Sequence, residues 1–242
     1  MTRRIALGRL FGIPIYLDTS WFVVLGLVTW TLATRYFPFQ VRGLSVPIYW
    51  CMGGLAAVLL FVCVLLHELG HSLIAKREGI PVNRVTLFLF GGVAQIASSP
   101  TRPLVELKVA LAGPLVSIAI AALCAWGSSR IPLDTPTHAI AFAIARYLAV
   151  VNIAILVFNL LPGFPLDGGR VLRAALWAWS GDLLKATRIT STLGSAMGFC
   201  LLGLGLWAIF RGQWIGGIWY TCLGFFLRDA ARVSYQEVLM RR

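Results

Sequence analysis

The stretch that decides the fold is Leu55-Ala-Ala-Val-Leu-Leu-Phe-Val-Cys-Val-Leu-Leu66, followed directly by His67-Glu68-Leu69-Gly70-His71. The uninterrupted apolar run predicts the core of a membrane-spanning helix. Two imidazoles and a carboxylate are costly in lipid, and ionisable residues at this depth indicate a functional role. Two of the chain's three histidines lie in this pentapeptide. A chemical reason for their presence is therefore expected.

The spacing of these histidines predicts a metal site. Residues four apart lie on one face of a helix, so His67 and His71 can bind one metal ion through ring nitrogens. Glu68 lies about 100° further round the helix, where its carboxylate reaches a metal-bound water rather than the metal. The alternative is a pair of hydrogen-bonded core histidines. Because a chance match to the pattern has a probability of roughly 1%, the sequence favours a zinc hydrolase with Glu68 as general base.

Composition places this site in a multi-pass membrane protein. The chain has 242 residues, of which 59% are hydrophobic and 12% are charged, with a mean hydropathy of +0.83. A soluble domain would carry about twice that charged fraction. We expect six spans, with uncertain boundaries for the short first and last segments. The predicted spans are 20–33, 46–75, 107–126, 139–161, 191–210 and 214–227.

The positive charges predict the orientation. The formal net charge is +12, but the basic residues lie between apolar segments and form no continuous tract, so we expect no nucleic-acid partner. Most of the 21 Lys and Arg residues fall on one side of the six spans, which predicts that both termini, including a basic tail at 228–242, are cytoplasmic. A prokaryotic plasma membrane is the expected location.

The depth of the predicted site follows from the second span. Lys76 and Arg77 mark its cytoplasmic end, and His67 lies nine residues before Lys76. At 1.5 Å per residue the metal would lie roughly 14 Å inside the membrane. Hydrolysis at that depth requires a water-filled cavity.

A catalytic zinc takes three protein ligands, so a third is required. His138 lies in a predicted outer loop, and Glu78 and Glu106 lie near the cytoplasmic membrane boundary. The remaining candidate is Asp167, in Asn159-Leu-Leu-Pro-Gly-Phe-Pro-Leu-Asp-Gly-Gly-Arg170. The prolines and glycines break the helix there, and unwound backbone at membrane depth is tolerated only beside protein or a water cavity. Asp167 is placed either to bind the metal or to cap the following helix.

Together these motifs resemble the site-2 protease family of intramembrane zinc metalloproteases. The resemblance includes Ala112-Gly113-Pro114-Leu115 between the two motifs. It implies one Zn²⁺ per chain, bound by His67, His71 and Asp167, with Glu68 as general base. It also implies that Asn159 stabilises the oxyanion or orients the substrate. With the six predicted spans and the β-rich segment between the second and third of them, the expected fold is membrane all-α: a six-helix bundle with a small membrane-associated β-hairpin or sheet.

The resemblance implies an intramembrane zinc endopeptidase. Its substrates would be membrane-anchored proteins cut within or near transmembrane segments, as in regulated intramembrane proteolysis. The expected partners are a transmembrane protein substrate and the lipid bilayer, with a homo-oligomer or a regulatory membrane partner left open. No stretch is long enough for the PDZ or paired CBS domains of larger relatives. We therefore expect one membrane domain over 1–242, either a minimal member or the membrane core of a longer protein.

The region between the second and third spans predicts a substrate-binding hairpin. Two β-rich runs, 84–90 and 93–97, flank Gly91-Gly92, which is a two-residue turn signal, within a hairpin at 80–100. An exposed strand edge can hold a substrate extended, although this hairpin can also simply plug the bundle. Residues 1–18 predict one or two further short strands. The candidate substrate-binding residues are Phe90, Gly91, Gly92 and Val93.

Three other functions have to be compared with the zinc endopeptidase on the sequence alone. A metal transporter normally needs several intramembrane clusters along its path, whereas here the ligand chemistry converges on one level. A zinc hydrolase acting on a non-peptide or lipidated substrate would share the metal site but would not need the hairpin. An inactive scaffold would not need a complete set of ligand and base residues.

Overall fold

The computed structural model describes residues 4–88, 91–96 and 100–240. This part of the chain contains eight α-helices, one π-helical segment and four strands. In chain order they are β1 (Arg4–Leu10), β2 (Ile13–Asp18), α1 (Ser20–Thr31), the π-helical segment (Leu32–Tyr36), α2 (Phe37–Gln40), α3 (Val46–Arg77), β3 (Val82–Phe88), β4 (Gly91–Ile96), α4 (Pro103–Ser129), α5 (Pro136–Asn159), α6 (Asp167–Ser180), α7 (Leu183–Phe210) and α8 (Trp214–Met240).

The chain forms two compact units. The first comprises residues 1–99 and 112–156, and the second comprises residues 100–111 and 157–242. Helix α4 contributes its first turns to the second unit and its remainder to the first. The expectation of a single membrane domain over 1–242 stays a prediction.

A four-stranded sheet in the first unit has the strand order β1-β2-β3-β4. The pairs β1–β2 and β3–β4 are antiparallel, and β2–β3 is parallel. Phe11 and Gly12 connect β1 to β2 with φ values of 53° and 80°, which suits a two-residue hairpin whose twist matches its strands. Residues 1–18, where one or two short strands were expected, thus contain β1 and β2.

One face of this sheet packs on α3. Ile13 of β2 and Val85 of β3 are buried against Leu69 of α3, and successive side chains of a strand alternate between faces. The flanking apolar residues are Leu65, Leu73, Val82 and Ala94. The sheet therefore rests on the helix that carries the two histidines.

The predicted hairpin at 80–100 is present, but its turn is elsewhere. Gly91 pairs with Phe88 and Gly92 pairs with Leu87, so both glycines are the first residues of β4. The prediction that Gly91-Gly92 forms the turn is wrong. Residues 89 and 90 follow β3 in the sequence and lie outside the described residues, Phe90 among them.

Five helical segments in the described part of the chain are long and apolar enough to cross a membrane. They are Ser20–Gln40, Val46–Arg77, Pro103–Ser129, Pro136–Asn159 and Leu183–Phe210. The protein is therefore a mostly helical integral membrane protein. The sixth predicted span, 214–227, lies in α8 and is not among these five segments.

Several of the helices extend beyond the predicted spans. The first segment continues past Ala33 to Gln40 through the π-helical segment and α2, with Pro38 in the first turn of α2. The seventh helix begins at Leu183 rather than 191. The Asp182 side chain caps it by accepting hydrogen bonds from the backbone N–H groups of Leu184 and Lys185 at 2.9 and 3.1 Å.

In the second unit, α7 and α8 pack closely through glycines. A Cβ atom added at Gly198 would lie 2.8 Å from the carbonyl oxygen of Gly224, and one added at Gly205 would lie 2.8 Å from that of Gly217. Such contacts are closer than real Cβ atoms allow, so these positions require glycine. Small residues permit this close helix packing in membranes.

Candidate metal centre

His67 and His71 lie side by side on α3, and each is only 3% exposed. Their Nε2 atoms are 3.2 Å apart. Two nitrogens bound at 2.0–2.1 Å to one tetrahedral zinc ion would be about 3.3 Å apart. The pair therefore has the separation of two ligands of a single metal ion.

A serine fixes the orientation of one of these rings. The Nδ1 atom of His67 lies 2.9 Å from Oγ of Ser117, which is fully buried on α4. In the Nδ1-protonated tautomer the ring donates to this hydroxyl, and Nε2 keeps its lone pair for a metal. Metal-binding histidines commonly use the other ring nitrogen in this way.

Gly113 leaves space in front of both histidines. A Cβ atom at this position would lie 2.6 Å from Nε2 of His67 and even closer to Nε2 of His71. Glycine therefore makes a cradle at the two nitrogens that any side chain would fill. The close approach of α4 to α3 continues at Gly70, where an added Cβ would lie 3.0 Å from the carbonyl oxygen of Ala112.

Gly113 and Ser117 were not singled out individually from the sequence. The sequence marks Gly113 only as part of Ala112-Gly113-Pro114-Leu115, and it gives Ser117 no distinguishing feature. The available signal was their spacing of four on a predicted helix, which places both on one face.

Glu68 lies between the two histidines in sequence and is half-buried. Strand β4 lies against it, because a Cβ atom at Gly92 would overlap Cγ of Glu68 and lie 3.1 Å from its Cδ. A side chain at position 92 would displace the Glu68 carboxylate. Of the other hairpin candidates, Gly91 is half-buried and Val93 is 42% exposed.

The second unit holds the remaining predicted site residues. Asp167 is buried and is the first residue of α6, whereas Leu166 occupies the N-cap position. Asp167 is therefore not the N-cap residue of that helix. Asn159 is half-buried and is the last residue of α5.

His138 and Glu106, whose predicted locations disfavour a ligand role, have other partners. The His138 side chain is 42% exposed, and its Nδ1 forms a hydrogen bond with Oδ1 of Asp134. Glu106 is fully buried and forms an ion pair with Arg173.

Comparison with known proteins identifies the family. The model of the family described as Peptidase family M50 matches residues 55–147 and 130–204. The chain belongs to peptidase family M50. The matched residues contain the histidine pair, Gly113, Ser117 and the segment from Asn159 to Asp167.

Curated relatives of this M50 chain carry names that refer to zinc. A Synechocystis protein provisionally named zinc metalloprotease sll0528 is 39% identical over 241 residues, covering 100% of this chain and 62% of the relative. Zinc metalloprotease MJ0392 of Methanocaldococcus jannaschii is 34% identical over 209 residues, covering 85% of this chain and 55% of the relative. The chain thus spans about three fifths of the length of these relatives.

A solved structure has the same fold. The site-2 protease from Methanocaldococcus jannaschii is 28% identical, with a TM-score of 0.64, and the match covers 96% of this chain and 95% of that one. The resemblance to the site-2 protease family is confirmed. Buried imidazole and carboxylate groups are typical zinc ligands, so the residues present fit the metal that the family implies.

Proposed function

We propose that this chain is an intramembrane zinc endopeptidase that cuts membrane-anchored proteins within or near their transmembrane segments. The observation that carries the proposal is the 3.2 Å separation of the Nε2 atoms of His67 and His71 on an apolar helix. The adjoining Glu68 and the family membership support hydrolysis rather than metal transport. Release of a signalling protein from its membrane anchor is the expected use.

The proposed zinc ligands are His67, His71 and Asp167. Asp167 is supported by its chemistry and burial, because a buried carboxylate is, with imidazole, a typical zinc ligand. Its place in the first turn of α6, after a helix break, also supports this role. When bound, zinc supplies Lewis-acid activation of a water molecule and of the scissile carbonyl.

Glu68 is the proposed general base. Its carboxylate takes a proton from the attacking water and returns it to the leaving amine nitrogen. The side-chain amide of Asn159 donates a hydrogen bond to the developing oxyanion or orients the substrate. His67 is held for this reaction by Ser117.

Strand β4 is the proposed substrate-binding edge, because it is the last strand of the sheet in the described part of the chain. In an antiparallel ladder, successive residues direct their backbone groups alternately toward and away from the partner strand. With Gly91 closing the hairpin opposite Phe88, the N–H groups of Gly92 and Ala94 are expected to point away from β3. These groups are proposed to pair with an extended substrate, beside Val93 and residue 90.

We also propose that α8 supplies a sixth span. Its apolar part, residues 214–227, is only about 21 Å long, but it packs on α7 through paired glycines. The Arg228 guanidinium lies 4.7 Å from the ring centroid of Phe199, and arginine at a helix end can extend toward the membrane surface. With six spans both termini lie on the same side of the membrane, and the distribution of basic residues supports the cytoplasmic side of a prokaryotic plasma membrane. A homo-oligomer or a regulatory partner stays a prediction.

The test uses the purified 242-residue chain in proteoliposomes with transmembrane peptide substrates and mass spectrometry of the products. We expect Glu68→Gln to keep zinc and to lose cleavage by at least about 100-fold, because a general base contributes at least that factor. His67→Ala should lose both zinc and cleavage. A chelator should stop the wild-type reaction, and added zinc should restore it.

Two results would contradict the proposal. Undiminished cleavage by Glu68→Gln protein would remove the general-base mechanism. Zinc flux into the vesicles that is equal in wild-type and Glu68→Gln protein, without any peptide product, would identify a transporter instead.

A further inference from the structure

The segment that joins α5 to α6 has little regular structure of its own. Residues 160–166 contain turns closed by bonds such as that from the N–H of Leu166 to the carbonyl of Gly163 at 3.0 Å. One backbone bond reaches another helix, from the N–H of Phe164 to the carbonyl of Thr190 at 3.2 Å. Asp167 follows directly. The position of its carboxylate therefore depends on close backbone packing, as at Gly163 and Gly169, and on the side chains that hold this segment.

Arg173 is the side chain placed to do so. It lies on α6, and its guanidinium carbon is 4.7 Å from the ring centroid of Phe164, in the joining segment. Its Nε donates to Oε1 of Glu106 at 2.7 Å, and its Nη2 donates to the same oxygen. Arg173 thus connects the joining segment to the first turns of α4.

This ion pair is buried. Glu106 is 0% exposed and Arg173 is 8% exposed. The second carboxylate oxygen of Glu106, Oε2, has no hydrogen-bond partner within residues 4–88, 91–96 and 100–240. Desolvation of two charges often outweighs their attraction, and an unmatched oxygen adds to that cost. The pair is therefore a weak source of stability, while its fixed geometry orients the groups that it joins.

We propose that Arg173 and Glu106 are positioning residues that hold the Phe164–Asp167 turn in the geometry that metal binding requires. The ring of Phe164 is fixed against the guanidinium plane, and the guanidinium is fixed by Glu106. This inference rests on the proposed role of Asp167 as a zinc ligand. Neither Arg173 nor Glu106 touches the metal or the substrate in this account.

The decisive variant removes both charges at once, as Glu106→Met with Arg173→Met. Replacing a buried ion pair by apolar residues of similar size is often neutral or stabilising, so the full chain is expected to fold. We expect a thermal midpoint close to that of the wild type but at least a tenfold loss of zinc affinity against a competing chelator. The visible spectrum of the Co²⁺-loaded protein should also change, since it reports ligand geometry.

Two further variants complete the test. Arg228→Met is the matched control, because Arg228 stacks on Phe199 at the same 4.7 Å distance in the same unit, and it should leave zinc affinity and the Co²⁺ spectrum unchanged. Phe164→Leu keeps both charges and removes only the ring. This variant should lower zinc affinity by about threefold. If the double variant does not fold, Phe164→Leu alone tests the positioning role.

The variant Asp167→Asn shows whether a failure concerns the ligand role of Asp167 or only the positioning role of Arg173 and Glu106. If Asp167→Asn keeps full zinc affinity, the ligand role of Asp167 fails and the positioning role fails with it. If Asp167→Asn loses zinc but the double variant and Phe164→Leu keep wild-type affinity and Co²⁺ spectra, only the positioning role is overturned. Loss in all three, with Arg228→Met unchanged, supports both.

Discussion

Gly113 determines how much space the histidine nitrogens have in front of them. A methyl group there would overlap both Nε2 atoms, so Gly113→Ala should reduce zinc binding by at least tenfold while α4 stays folded. Zinc content after dialysis and the helical circular dichroism signal measure the two effects. Gly127→Ala is the control on the same helix, since an added Cβ there meets nothing within 4 Å. Equal zinc content in the two variants would contradict the claim that Gly113 leaves space for the metal at the histidine nitrogens.

Ser117 acts on His67 through a hydrogen bond. Loss of such an outer partner typically costs 10–100-fold in metal affinity, so Ser117→Ala should weaken zinc binding by about that factor. Chelator competition measures the change. Ser128→Ala is the control, because Ser128 is also buried on α4 but donates to the carbonyl of Ala125. If Ser128→Ala weakens zinc binding as much as Ser117→Ala, the loss is not specific to His67.

The residues that carry reactive groups could be identified from the sequence, and those that support them could not. His67, Glu68 and His71 stand out because histidine is scarce and because their spacing has one chemical meaning on a helix. Gly113 and Ser117 are small, common residues on another helix. Their role depends on where α4 meets α3, which local sequence does not encode.

Among the secondary-structure elements, the proposed substrate-binding role of β4 gives the most specific prediction. Ala94→Pro removes an N–H that is expected to point away from β3, so it should preserve the β3–β4 ladder and zinc content. Cleavage of transmembrane peptides should fall by at least tenfold, through KM, because the substrate loses a backbone partner. Ala94→Val keeps the N–H and adds bulk at the same position. If Ala94→Pro and Ala94→Val cut peptides equally well, substrates do not pair with this strand.

The hairpin could be predicted from its β-rich runs, but the position of its turn could not. The glycine pair meets two other requirements. Gly91 has a φ of 127°, which side chains rarely adopt, and Gly92 makes room for Glu68. From the sequence alone, a pair of glycines required for a turn cannot be distinguished from a pair required for close packing.

The break between α5 and α6 was likewise predicted from its prolines and glycines. The residues that hold it were not, because Glu106 and Arg173 are 67 positions apart in the chain. Glu106 looked like a residue of the membrane boundary. Its burial became evident only with the partner from α6.

For the whole molecule, the number of spans determines where the termini lie. Five spans would place the two termini on opposite sides of the membrane, and six would place them on the same side. We expect reporters fused before Met1 and after Arg242 to be active only as cytoplasmic proteins, because most basic residues lie on that side of a six-span arrangement. A C-terminal reporter that is active outside the cytoplasm would show that α8 does not cross.

Composition predicted a multi-pass membrane protein, and this is confirmed. The sixth span could not be decided in the same way. Helix α8 combines a short apolar part with charges in its second half, so hydropathy alone does not separate a span from a helix at the membrane surface. Its glycine contacts with α7 are tertiary features that hydropathy does not measure.

The parallel pairing of β2 with β3 has a consequence for biogenesis. A ribosome synthesises β1 and β2 first, yet β3 emerges only after residues 19–81, which include the first two membrane helices, have been made. Strand β2 of the N-terminal hairpin therefore has no β3 partner until both helices have been inserted into the membrane. Closing so long a stretch of chain is slow compared with forming a local hairpin. The sheet can also close only if the intervening chain returns to the side from which it started.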